Sequence, residues 1–205
     1  MTTKIKTIVF DMDGTLYQID GNNNGYKNSS LEKNVHKNAL RFILKTENCT
    51  KKEAKVILNL ALKDKIGISN FLSKKYSISR ENYFNVIWDI SPAEIVQNFE
   101  IAVQIVNQIK ALGLNLILLT AAPKIWQKTV IEYIGLNNVF DEIYAADSFT
   151  DKEEIFKKLS QKFSTKSILS IGDQLETDIK PASKLGFLTF LVKTPNDLPL
   201  ILKLI

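Results

Sequence analysis

Four short runs rich in large aliphatic residues, at positions 5–10, 114–119, 167–171 and 188–192, are set apart by long stretches of helical periodicity. Runs of that length without polar alternation suit strands covered on both faces, and strands that alternate with helices assemble into a parallel sheet. The expected fold class is therefore α/β: a doubly wound, Rossmann-like parallel sheet, with a weaker fifth strand at 142–146. Core helices are expected at 95–112, 124–134, 153–163 and 178–185, several closed by a glycine at the C-terminal end (Gly113, Gly135, Gly186).

Between the first two core strands, positions 17–91 carry helical periodicity and no convincing strand. Ser29 with Glu32, Thr50 with Glu53, and Ser91 with Glu94 each have the spacing of a capping box, the last with Pro92 at the first helical position. A chain of 205 residues holds one sizeable domain with a smaller insertion. The expected division is a core of residues 1–16 and 92–205 and an α-helical cap of residues 17–91. The polar string Asp20-Gly21-Asn22-Asn23-Asn24-Gly25 suits a mobile link between them.

The formal net charge is +5, but the lysines are scattered through helical stretches. That is a solvated basic surface, congenial to small anions, with no dense patch for nucleic acid. Cys49 is the only cysteine, so it has no intramolecular disulfide partner, and it is expected in a helical stretch as a packing residue. His36 is the only histidine and is expected exposed among lysines, which leaves histidine catalysis without support. Tyr76, Tyr83, Phe84 and Trp88 are expected to pack cap helices rather than stack on a nucleobase. No apolar stretch is long enough to span a bilayer and no leader pattern is visible, so a cytoplasmic protein without membrane partners is expected, as monomer or homodimer.

The functional clue follows the first strand. Asp11 and Asp13, with Gly14 and Thr15, stand just past a strand's carboxyl end, where open α/β sheets bind ligands. Thr120 ends the second core strand after Leu116-Ile117-Leu118-Leu119, and Ile171-Gly172-Asp173 ends another, with Asp178 five residues later. Lys152 falls in the first turn of a core helix if Thr150 and Glu153 cap it.

Together these strings resemble the four motifs of the haloacid dehalogenase (HAD) superfamily of phosphatases, with the helical insertion where that family's first cap type is placed. The string from Phe10 to Leu16-Tyr17 is similar to the pyrimidine nucleotidase branch. Two departures stand out: no proline follows Lys152, and Ala121-Ala122 replace the asparagine or glycine common after the second motif.

The resemblance implies a magnesium-dependent phosphohydrolase acting on small phosphate monoesters such as nucleotide or sugar phosphates. Asp11 attacks phosphorus to give an aspartyl-phosphate, and Asp13 is acid and then base. Mg2+ is assigned to the carboxylates of Asp11 and Asp173 and the main-chain carbonyl of Asp13, a hard-oxygen set that suits it. Thr120 and Lys152 hold the phosphoryl oxygens, and amides of the turn at Gly14 and Thr15 add donors. Asp178 touches the metal or its waters, or is only a neighbouring acid. The cap is expected to close over the site and select the leaving group, pivoting at 17–30 and 89–92. A phosphotransferase or phosphomutase uses the same aspartate, and a non-catalytic binding protein keeps the fold without turnover. A dehalogenase is disfavoured by the presence of Asp13.

Overall fold

A computed structural model describes residues 4–21 and 25–205, which form two compact units. The first comprises residues up to Gly25 and from Pro92 onward, and the second runs from Tyr26 to Ser91. The central part of the expected polar link, Asn22 to Asn24, lies outside the described residues.

The first unit is built on a five-stranded parallel sheet. Its strands are β1 (Thr7–Phe10), β4 (Asn115–Leu119), β5 (Glu142–Tyr144), β6 (Ile168–Gly172) and β7 (Leu188–Leu191), in the order β5-β4-β1-β6-β7. Strand β1 is central, with Phe10 level with Leu118 on one side and Ile171 on the other. That register brings the residues following β1, β4 and β6 to one edge of the sheet. Both faces are covered: Val9, Ile117 and Leu119 pack with Ile155, Phe156 and Leu159 of helix α7 (Lys152–Lys162), while Ile8 and Phe10, of opposite parity, are equally withdrawn from solvent. Truncating a side chain such as Phe156 to alanine would cost about 3–5 kcal/mol.

The other core helices are α5 (Glu100–Ala111), α6 (Lys124–Tyr133) and α8 (Lys180–Lys184), the last entered through a wide π-type turn, Leu175–Ile179. One expected helix starts late. Ser91, Pro92 and Glu94 form a turn instead of a helical first turn, because the carbonyl of Pro92 takes the amides of both Ile95 and Val96. Val96–Gln97 then forms strand β3, antiparallel to β2 (Gln18–Ile19), a strand pair that helical periodicity concealed. Asn98 at φ +54° separates β3 from α5.

The second unit consists of α1 (Ser30–Glu47), α2 (Lys51–Lys63), α3 (Gly67–Tyr76) and α4 (Arg80–Ile87). Leu31, Val35, Ala39 and Ile43 recur every four residues as the buried stripe of α1. Ser29 caps α1 by accepting from the amide of Glu32, and Thr50 with Glu53 forms a full capping box on α2. Cys49 sits in the turn between these helices rather than within one, and His36 is half-buried rather than exposed. Tyr83 and Phe84 pack edge to face inside the unit, as expected of packing aromatics. Among the described residues no helix is long and apolar enough to cross a membrane.

Candidate active site

Asp11 leaves β1 with its amide bonded to the carbonyl of Ile171 (2.9 Å), so the central strand delivers it buried at the sheet edge. The chain then turns sharply: the amides of Thr15 and Leu16 return to Met12 O, and that of Gly14 donates to Tyr17 O. Thr15 Oγ1 donates to Asp11 Oδ2 at 3.0 Å. The amides of Gly14 and Thr15, expected as phosphate donors, are thus engaged in bracing the turn. Gly14 has φ +86°, and a Cβ there would collide with the carboxylate of Asp173, so the position requires glycine on both counts.

The remaining oxygen of Asp11 meets Lys152. Asp151 caps α7 by accepting from the amide of Glu154, one residue on from the expected Thr150 and Glu153 pair, and Lys152 is consequently the first helical residue. Its Nζ lies 2.6 Å from Asp11 Oδ1 and 2.6 Å from Asp178 Oδ1. The side chain is 7% exposed, whereas Lys157 and Lys158, farther along the same helix, are 59% and 56% exposed and make only i,i+4 pairs. Asp178 is itself held by the amide of Gln174 and the hydroxyl of Thr177. Gly172 permits this, since a Cβ there would overlap the Asp178 side chain.

Asp173 follows β6 and faces the same space. Carboxylate oxygens of Asp11, Asp173 and Asp178 lie within 4.8 Å of one another, and Asp173 Oδ1 is buried with no hydrogen-bond partner. Burial pushes Asp11 well above the usual carboxylate range, opposed by Lys152, and burial together with Asp178 pushes Asp173 up to about 6. Burial pushes the Lys152 pKa down, but Asp11 and Asp178 outweigh it and raise it, so one cation is fixed among several acids. An orphaned buried oxygen in an all-oxygen acidic cluster with surplus negative charge fits a hard divalent cation.

Asp13 stands apart from that cluster. Its Oδ2 accepts from Thr120 Oγ1 (3.2 Å), and Thr120 Oγ1 in turn accepts from the amide of Ala122 (3.0 Å). The alanine that departs from the expected motif therefore serves the second strand's threonine through its backbone. Asp13 Oδ1 accepts from Trp126 Nε1 (3.1 Å) and from the Tyr17 hydroxyl. Burial pushes Asp13 up, while the donors Tyr17, Trp126 and Thr120 act the other way. Trp126 was not among the residues singled out from the sequence; its only mark there is an indole on the buried stripe of a helix that follows a site strand.

A parallel sheet that gathers acids from two strand ends around a buried lysine makes this a Rossmann-like α/β protein with its ligand site at the carboxyl edge of the sheet. The chain belongs to the haloacid dehalogenase-like hydrolase family, whose model matches residues 5–186. It is 24% identical over 204 residues to the glyceraldehyde 3-phosphate phosphatase of Methanocaldococcus jannaschii, covering 90% of this chain and 83% of that one. It shares its fold with a HAD phosphatase from Thermococcus onnurineus (TM-score 0.66, 18% identity, 97% of this chain and 98% of that one). A similar fold occurs in the HAD hydrolase YfnB from Bacillus subtilis, bound to magnesium (TM-score 0.57, 18% identity, 98% of this chain and 100% of that one).

Proposed function

We propose that this chain is a magnesium-dependent phosphatase of small phosphate monoesters, sugar phosphates first among them, working through an aspartyl-phosphate on Asp11. The observation that carries the reading is the buried Asp11 carboxylate, fixed by Thr15 and Lys152 at the end of the central strand beside Asp173 and Asp178. Phosphate esters are small anions, and the kinship with a glyceraldehyde 3-phosphate phosphatase favours a phosphorylated small sugar as substrate.

Asp11, Asp173 and the main-chain carbonyl of Asp13 would hold the cation, with Asp178 beside them. When bound, the cation offsets the negative charge of the nucleophile and of the phosphoryl oxygens. Thr15 and Lys152 each hold one oxygen of Asp11 and so orient it, Lys152 also opposing the rise that burial gives its pKa, and an oxygen of that carboxylate attacks phosphorus in line as the ester oxygen leaves. Asp13 gives its proton to the departing oxygen. In the second half, Asp13 takes a proton from the water that displaces Asp11, which restores the Asp11 carboxylate and the protonated Asp13. Lys152 and the Thr120 hydroxyl are the donors available to the phosphoryl oxygens.

The test is phosphate release from an aryl phosphate and a panel of sugar and nucleotide phosphates, with and without chelator, for the unmodified chain and Asp11→Asn. Release that needs magnesium and falls by about three orders of magnitude or more in the variant is expected. Undiminished release in Asp11→Asn would remove the covalent mechanism.

A further inference from the structure

The polar tips of Tyr17 and Trp126 converge on one oxygen. Both residues are fully buried, Tyr17 just beyond the turn that follows β1 and Trp126 in the first turn of α6. Trp126 Nε1 donates to Asp13 Oδ1 at 3.1 Å and also lies 3.0 Å from the Tyr17 hydroxyl, which donates to the same Oδ1. The backbone repeats the link, since the amide of Gly14 donates to Tyr17 O and Asp13 and Tyr17 form a β-bridge.

An indole N–H is a donor only, so Oδ1 must remain an acceptor for as long as Trp126 faces it. The other oxygen, Oδ2, has the Thr120 hydroxyl at 3.2 Å, and a hydroxyl can turn to donate or to accept. The two oxygens of Asp13 are therefore not equivalent: one is tied down by two donors, and the other has a partner that tolerates either protonation state. Buried Tyr and Trp tips usually find some partner, and pairing with each other would have satisfied that need alone. Their convergence on a carboxylate of the reaction site is the further fact.

We propose that Tyr17 and Trp126 are positioning residues that hold Asp13 by Oδ1 and so make Oδ2 the oxygen through which the proton passes. This rests on the reading of Asp13 as acid and base. In the first half-reaction the Oδ2 proton moves to the ester oxygen as the phosphorus–ester bond breaks and the Asp11–phosphorus bond forms. In the second, a water proton moves to Oδ2 as the water–phosphorus bond forms and the Asp11–phosphorus bond breaks.

A misplaced acid hurts most when the leaving group is poor, because an alkoxide must be protonated as it departs whereas a nitrophenolate need not be. The experiment is rapid-quench measurement of the phosphorylation step for p-nitrophenyl phosphate and for glycerol phosphate, in the unmodified chain, Tyr17→Phe, Trp126→Phe and Asp13→Asn. Tyr17→Phe removes a single oxygen and keeps the ring in the core. A loss of about 10- to 100-fold on glycerol phosphate, with less than about 3-fold on the nitrophenyl ester and substrate KM unchanged, is expected of both positioning variants. Equal losses on the two esters, or none, in Tyr17→Phe would overturn the proposal. If Asp13→Asn shows the selective loss and Tyr17→Phe does not, positioning fails while the role of Asp13 stands. If Asp13→Asn shows no selectivity, both fall.

Discussion

The ammonium of Lys152 lies 2.6 Å from Asp178 Oδ1, with the two side chains 7% and 2% exposed. Twenty-six residues separate them in sequence. The π-type turn presents Asp178, the first turn of α7 presents Lys152, and the second contact of the lysine is Asp11. A buried ion pair of this kind need not stabilise a fold, because desolvation cancels much of the attraction. Its effect is to fix where one positive charge stands, against the carboxylate proposed as nucleophile.

Removing that charge exposes the cost of burying the others. Lys152→Met is expected to lower unfolding stability at pH 7 by about 3–5 kcal/mol in urea titration, since Asp11 and Asp178 lose their shared partner. The deficit should shrink as pH falls, because burial raises the Asp11 pKa and the variant removes the charge that opposes that rise, and the double variant Lys152→Met/Asp178→Asn should recover part of it. Unchanged urea midpoints in the single variant would mean that the pair adds nothing to stability.

The sequence made the sheet legible because buried parallel strands are short, apolar and separated by helices, and that pattern survives without tertiary information. The strand ends carrying Asp11, Thr120 and Asp173 could be read for the same reason. The pair β2 and β3 could not, since two-residue strands leave no periodicity, and Ser91-Pro92 imitates a helix start. Lys152 was distinguishable from Lys157 and Lys158 only by a capping pattern, and the actual cap, Asp151, lies one residue along. Tyr17 and Trp126 escaped because an aromatic residue in an apolar stripe looks the same whether its polar tip is idle or bonded to Asp13, 113 residues away in the case of Trp126.

Gly14 offers a probe of the acidic cluster that alters no charge. Alanine there is strained at φ +86° and meets the Asp173 carboxylate, which must move aside. Gly14→Ala is expected to lose about 1–2 kcal/mol of stability and to weaken magnesium binding about tenfold or more by titration calorimetry. Affinity equal to that of the unmodified chain would show that Asp173 is not a ligand, or that it moves without consequence.

Asp173→Asn separates stability from function differently. It removes a charge that burial and Asp178 disfavour while leaving the Lys152 to Asp11 contact in place. The metal-free variant is expected to be as stable as the unmodified chain or more so by about 1 kcal/mol, while magnesium-dependent phosphate release falls at least 100-fold. A variant that is destabilised in chelator would show that Asp173 contributes to the fold itself.

The same carboxylate sets a pH window. Folding raises Asp173 from its ordinary 3.8 to about 6, so between those values the metal-free native state binds more protons than the unfolded chain. Stability from this group is therefore greatest below pH 4 and falls as pH rises through about 6. A cation requires the ionised form, so its contribution runs the opposite way, growing over the same interval and levelling off above it. Thermal melts with magnesium at about 100 times Kd, compared with melts in chelator, should differ by about 5–10 °C at pH 7.5. At the same magnesium concentration the difference should close as pH falls through 6 toward 4. A difference that stays constant from pH 7.5 to pH 4.5 would place the binding on groups other than Asp173.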